Sequence, residues 1–173
     1  NADDVLFSFQ KQWDKNHAFH HTSNLSYHYF ESMGIGNLIE SIEKITPYKI
    51  KFRLNRSESP FLATLAMDFA SILSEEYANY LSATNEQSKI DIQPIGTGPF
   101  KFKNYQAGSH IRYLKNPHYW KNDVQIEQLI FDITTSNTGR LTKLLTHECD
   151  VISYPIALET IDSKPEFLLE SVT

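Results

Sequence analysis

Cysteine is nearly absent: Cys149 stands alone in 173 residues. A single thiol builds no internal disulfide framework and leaves the redox compartment open. A buried, inert thiol is the default reading of such a residue. Net positive charge is also missing, since the chain carries −5 at neutral pH. That excludes a global pull toward nucleic acid or anionic membrane. No apolar run is long enough to span a bilayer, and no signal peptide is visible. There is no Gly-x-Ser-x-Gly elbow, no internal repeat and no low-complexity tract.

What is present is globular. Hydrophobic residues make up 40% and charged residues 21%, enough for one ordinary domain with a core. Nine Tyr, eleven Phe and two Trp point to an aromatic core or to an aromatic-lined cleft.

Asn1 is expected to cap a helix running through Asp14, with Asp3 and Asp4 at the positive end of its dipole. Val5, Leu6, Phe9 and Trp13 recur at helical spacing and predict one apolar face. Residues 16–26 read as a polar loop, and 27–33 as a short helix ended by Gly34. A hairpin follows, with 42–45, a turn at Thr46-Pro47, and a strictly alternating strand over 49–54. Pro60 suits the first turn of a helix over 61–67, and Ser74 caps another over 75–81. The polar stretch 84–93 reads as an internal boundary. Beyond it, 100–103, 111–115 and 126–133 are expected strands, with a turn at Gln106-Ala107-Gly108. Thr135 or Ser136 caps a helix through Thr146. A strand over 151–154, stopped by Pro155, a helix over 157–163 and a strand over 167–172 complete the pattern. Strands and helices alternate here, so the fold class is mixed α/β.

Several motifs invite chemistry. His17, His20, His21 and His28 lie close in sequence, but their spacing matches no structural zinc pattern. Solvated loop histidines are the expected reading, ahead of a metal site or a haem ligand. Gly96-Thr97-Gly98 lacks the Lys-Ser/Thr of a phosphate loop and precedes a strand; a glycine-permitted turn is expected. Asp3-Asp4 and Glu75-Glu76 sit at helix starts, where dipole compensation accounts for them, and no enzymatic site is expected. Lys101, Lys103, Arg112, Lys115 and Lys121 bias one segment toward positive charge; the alternation of Lys101 and Lys103 with Phe100 and Phe102 predicts a solvated strand face.

Three segments carry a resemblance: Pro94-Ile95-Gly96-Thr97-Gly98-Pro99-Phe100, Asn116-Pro117-His118-Tyr119-Trp120, and the run from Gly139-Arg140-Leu141 to Cys149-Asp150-Val151. In this order and spacing, the chain resembles the dipeptide/oligopeptide-binding family of bacterial extracytoplasmic solute-binding proteins. The opening from Asn1 to Gln10, the stretch Tyr27 to Met33, and Leu65 to Ser71 are similar to the same family. The resemblance implies a partial lobe of a bilobed, cluster C type periplasmic-binding-protein clamp. Residues 1–93 would form part of the small subdomain of lobe I, and 94–173 its main α/β part, ending near the hinge. It implies peptide ligands, cationic antimicrobial peptides among them, delivered to an inner-membrane ABC permease. It implies a periplasmic protein that is a monomer when complete, with no enzymatic activity, no cofactor and no specific nucleic-acid partner. A haem- or other small-ligand-binding member of the same family is the alternative. Tyr27, Tyr29, Tyr154 and Pro155 are the ligand-contact candidates. Cys149 is expected to pair with a cysteine near the family's N-terminus, outside this sequence.

Overall fold

A computed structural model describes residues 1–22, 26–121 and 123–152. The described residues fall into two compact units: one from Asn1–Phe102 and Leu114–Glu127, the other from Lys103–Tyr113 and the described residues from Gln128 onward.

The first unit opens with α1 (Ala2–Trp13). The Asn1 side chain accepts from the amides of Asp3 and Asp4, completing a capping box with Asp4. The helix is buried on two sides. Phe9 belongs to one core cluster with Phe30, Ile35, Leu38, Ile39 and Phe61, flanked by Val5 and Trp13. Phe7 belongs to a second, with Phe19, Ala78, Leu81 and Ile90. The expectation of one apolar face is therefore corrected: Phe7 and Lys11 lie outside that stripe and are buried as well.

Two short helices, α2 (His28–Ser32) and α3 (Ile35–Leu38), share Gly34 between them. Its φ of 66° lets the chain turn at no steric cost. Gly36 allows close approach of a different kind: a Cβ there would sit 3.3 Å from the Phe30 ring and 3.5 Å from the Trp13 ring. The hairpin forms from β1 (Ile39–Thr46) and β2 (Lys49–Leu54), antiparallel, with Ile42 opposite Phe52. Phe52 then meets both Phe9 and Phe61 edge-on, at 5.1 and 5.7 Å between ring centres.

After the hairpin come α4 (Phe61–Thr64), shorter than expected, a single 3-10 turn (Asp68–Ala70), and α5 (Glu75–Ala83). Ser74 caps α5 by accepting from the Tyr77 amide, as its sequence predicts. Polar side chains of α1 stitch this segment down. Gln12 donates to the Phe69 carbonyl at 2.8 Å, Ser8 accepts from the Leu73 amide at 2.8 Å, and Asp4 accepts from the Glu75 amide at 3.0 Å. The stretch 84–93 is not merely a polar connector. It contains α6 (Lys89–Ile92), whose Ile90 is fully buried in the second cluster.

A three-stranded sheet follows, in the order β3 (Phe100–Gln106), β4 (His110–Lys115) and β5 (Gln128–Asp132). Gly108 turns the β3–β4 corner at φ 71°. Gly96 and Gly98 keep φ outside the left-handed region, and the chain bends over 97–99 as it enters β3. In the second unit, Ser136 caps α7 (Asn137–Leu145) by accepting from the Gly139 amide. The helix ends with His147 at φ 59°, while the amides of His147 and Glu148 return to the carbonyls of Leu144 and Lys143. That is a Schellman-type end with histidine where glycine is usual. Val151 and Ile152 are not in a strand. The remainder of that expected strand, the helix over 157–163 and the strand over 167–172 lie outside the described residues. No helix among the described residues is long and apolar enough to cross a membrane.

Candidate ligand face

The side chains most tightly organised around a charge belong to the first unit and centre on Lys11. Its side chain is 4% exposed, and the ammonium bonds the Asp91 carboxylate at 2.8 Å. The Tyr27 ring lies 5.1 Å away, presenting its face to the same cation. Thr22 donates to the other oxygen of Asp91 at 2.7 Å. The loop closes on itself through His20. Its Nδ1 lies 2.8 Å from the Lys11 carbonyl. A carbonyl only accepts, so that ring nitrogen carries the proton and Nε2 holds the lone pair in the neutral ring. The Tyr27 hydroxyl donates to the His20 carbonyl at 3.1 Å.

This arrangement separates the two tyrosine candidates. Tyr27 is half-buried, packs on the first core cluster, and spends its hydroxyl and its ring face inside the network. Tyr29, two residues on, is 53% exposed, and the His28 ring lies beside it at 5.9 Å. Tyr27 is the N-cap residue of α2, with non-helical backbone angles of φ −80° and ψ 63°, whereas Tyr29 lies in the helix's first turn. Tyr154 and Pro155 lie outside the described residues. Cys149 is half-buried with a free thiol, and its amide donates to the Lys143 carbonyl at 3.1 Å.

The histidines do not converge. Among the described residues no group of three or more His, Cys, Asp or Glu is placed to hold a metal ion. His17 packs edge-on against Phe7 and accepts from the Phe19 amide through Nδ1 at 3.2 Å. Burial pushes its pKa below the ordinary histidine value; Asp14 pulls the other way, and Lys11 and His20 add to the depression. His20 and His21 meet ring to ring at 4.6 Å, nearly perpendicular. A shallow open groove of about 300 Å³ runs beside His17, lined also by Gln10, Phe19, Glu75 and Asn79. It stands at the lower limit for a small-molecule site.

The basic segment is partly neutralised. Lys115 pairs with Asp123 at 2.9 Å and Glu127 at 3.3 Å, and its hydrogen bond to Asp123 raises its pKa. In the second unit the hydrogen bond from Lys143 holds the Asp132 carboxyl below the usual range, with Thr134 adding to it. Lys101 and Lys103 are exposed while Phe100 and Phe102 are half-buried, as the alternation predicts.

Lys11, Asp91 and Thr22 are absent from the sequence candidates. One signal was available: Lys11 falls a helical turn after Phe7 and two residues before Trp13, among positions that turn inward. Two of the marker segments also meet in space. Asn116, 7% exposed, donates through Nδ2 to the Gly98 carbonyl at 2.8 Å and through its amide to the Pro99 carbonyl at 2.9 Å. Its Oδ1 accepts from the His118 amide at 3.1 Å. The Gly-Thr-Gly-Pro and Asn-Pro-His-Tyr-Trp segments are thus one hydrogen-bonded corner, from which Trp120 projects 71% exposed.

Comparison with known proteins gives a consistent picture. The chain is 47% identical over 155 residues to the dipeptide-binding protein of Escherichia coli, covering 90% of this chain and 29% of that one. It is 40% identical over 157 residues to the peptide transport periplasmic protein SapA of Salmonella typhimurium, covering 91% and 29%. It is 41% identical over 155 residues to heme-binding protein A of Haemophilus influenzae, covering 90% and 28%. Among solved structures, the dipeptide-binding protein of Pseudoalteromonas in complex with Met-Leu superposes with a TM-score of 0.85 at 42% identity, over 92% of this chain and 32% of that one. The chain therefore spans less than a third of the length of these relatives. Residues 1–169 match the pattern of bacterial extracellular solute-binding proteins, family 5 Middle. The mixed α/β chain is accordingly a partial fragment of that periplasmic-binding-protein fold, and it belongs to family 5 of the bacterial extracellular solute-binding proteins.

Proposed function

We propose that this chain is part of lobe I of a periplasmic, non-enzymatic peptide receptor. It would bind peptides, cationic antimicrobial peptides included, and hand them to an inner-membrane ABC permease, acting as a monomer when complete. The observation that carries this reading is the 47% identity to a dipeptide-binding protein across 90% of the chain. A specifically SapA-like role draws support from the 40% match and from the Gly139 to Cys149 run, although other peptide binders match as well. Residues 1–93 are assigned to the small subdomain and 94–173 to the main part of the lobe.

The physical logic is closure on ligand. A peptide touching both lobes stabilises the closed form by its differential affinity. Tyr29 is the ligand contact we favour within the described residues, because its ring is exposed while that of Tyr27 is held in the Lys11 network. Tyr154 and Pro155 stay candidates on the family resemblance alone, as does the pairing of Cys149 with an N-terminal cysteine. A second reading, haem binding, is favoured by the 41% match to heme-binding protein A.

Calorimetric titration of the full-length protein with a dipeptide, a cationic amphipathic peptide and haem tests these readings. Saturable one-to-one peptide binding is expected. Haem binding without peptide binding would replace the first reading by the second, and no binding of any of the three would overturn both.

A further inference from the structure

Two histidines of the segment 14–22 are hydrogen-bonded through Nδ1, and they meet a proton in opposite ways. His20 donates from Nδ1 to the Lys11 carbonyl at 2.8 Å, a bond that an imidazolium makes equally well. His17 accepts at Nδ1 from the Phe19 amide at 3.2 Å, so its neutral ring carries the proton on Nε2. A second proton goes on Nδ1 and sets two donors face to face. The bond at stake holds a buried anchor: Phe19 is 4% exposed, meets the Phe7 ring edge-on at 5.3 Å and belongs to the second core cluster. The His17 carbonyl also accepts from the His20 amide at 2.8 Å, and the Thr22 hydroxyl reaches from this segment to Asp91 of α6 at 2.7 Å. Charge reaches His17 from several elements. Asp14 at the end of α1 favours its protonation, while Lys11 of α1 and His20 of the segment itself oppose it. Asp3 of α1 and Glu75 of α5 line the groove beside it, and Asp3 is taken up by Lys44 at 2.6 Å. Asp91 is held by Lys11 and Thr22.

We propose that residues 14–22 form an acid-released latch: protonation of His17 at Nδ1 breaks its bond to the Phe19 amide and loosens the segment from α1 and α6, while the body of α1 stays folded. Release has a defined path. Phe19 loses the turn that seats it, and His20 and Thr22 are then free to leave the Lys11 carbonyl and Asp91. The Tyr27 hydroxyl, which donates to the His20 carbonyl, ties the same movement to the N-cap of α2. The body of α1 is held separately, by the Asn1 cap and by Phe9 in the other core cluster. The latch is closed above the folded-state pKa of His17, which burial holds below the ordinary value, and it opens as pH falls through that point.

Hydrogen exchange of the full-length protein tests this, read in peptides covering 2–13 and 14–22 between about pH 7.5 and about pH 5 and corrected for the intrinsic pH dependence of amide exchange. In the wild type the opening constant of 14–22 should rise roughly threefold or more at the lower pH, while that of 2–13 holds within about twofold. His17→Asn keeps an acceptor for the Phe19 amide without a ring that titrates, and its 14–22 segment should open alike across the range. Asp14→Asn removes the charge that favours protonation and keeps the acceptor for the Asn16 amide, so the pH midpoint of release should move down. That shift decides the matter should His17→Asn fail to fold, because a purely structural role for Asp14 leaves the midpoint where it is. An unchanged or raised midpoint in Asp14→Asn overturns the proposal. So does wild-type protection over 14–22 that holds steady with pH, an equal loss in His17→Asn, or a loss that extends through 2–13.

Discussion

Removal of the Asp91 carboxylate tests the Lys11 network most sharply. Lys11 is 4% exposed and Asp91 25% exposed at the side chain, so the two ends of the pair are unequal. In Asp91→Ala the ammonium loses its 2.8 Å partner and has little water to replace it. Breaking a buried pair from one side costs about 3 to 5 kcal/mol. The Tyr27 ring 5.1 Å away offsets part of this through its cation–π attraction. Access of water to the vacated side softens it further, so about 2 to 4 kcal/mol is expected. Lys11→Met removes the charge and keeps the stem volume. It leaves Asp91 with the Thr22 hydroxyl and with solvent, so its effect should stay within about 1 kcal/mol of zero. The double variant should resemble Lys11→Met, giving a coupling of about 2 kcal/mol or more. Urea unfolding of the full-length protein, followed by tryptophan fluorescence, measures all four corners of the cycle. Equal losses in the two single variants, or a coupling below about 0.5 kcal/mol, would refute the account of a desolvated cation held by one carboxylate.

Four further outcomes follow from local geometry. His17 has its pKa lowered below 6.5 by burial, so the folded state binds fewer protons than the unfolded one just below that pH. Its stabilising contribution is complete above pH 6.5 and is lost as pH falls through the folded value; His17→Asn, which keeps an acceptor for the Phe19 amide, should flatten that part of a stability-versus-pH curve. Tyr29→Ala should weaken peptide binding in calorimetry with little change in Tm, whereas Tyr27→Phe should cost about 1 kcal/mol of stability through the lost bond to the His20 carbonyl. His147→Gly should raise stability by about 1 kcal/mol, read as a higher urea midpoint, because its φ of 59° strains any residue with a Cβ.

What was legible in the sequence was local. Asn1, Ser74 and Ser136 announce helix starts because a short polar side chain and the amide it satisfies lie within three residues of each other. The hairpin was legible for the same reason, with alternation and Pro47 close together in sequence. The burial of Phe7 was not: its partners Ala78, Leu81 and Ile90 are some seventy or more residues away, and periodicity alone shows a single apolar stripe. Lys11 was hidden by its type, since a lysine reads as solvated until an acid eighty positions on proves to be its partner. Tyr27 and Tyr29 looked equivalent as aromatics in one segment; the place of Tyr27 as the N-cap of α2 and the position of the ammonium distinguish them.

The segments that carry the family resemblance are held by structural chemistry, and that bears on where function should be sought. Asn116 is buried and satisfies a carbonyl of one marker and an amide of the other, so neither segment keeps its path without it. Asn116 can serve because its amide group both donates and accepts; a carboxylate would set an anion against the Gly98 carbonyl, and an apolar residue would orphan both groups. A corner built in this way can accompany many ligands, which agrees with peptide-binding and haem-binding names among relatives of comparable identity. Discrimination between ligands must then come from groups that the corner does not engage. Within the described residues the exposed Tyr29 ring is such a group, and its substitution should alter ligand choice while substitutions at Asn116 alter folding.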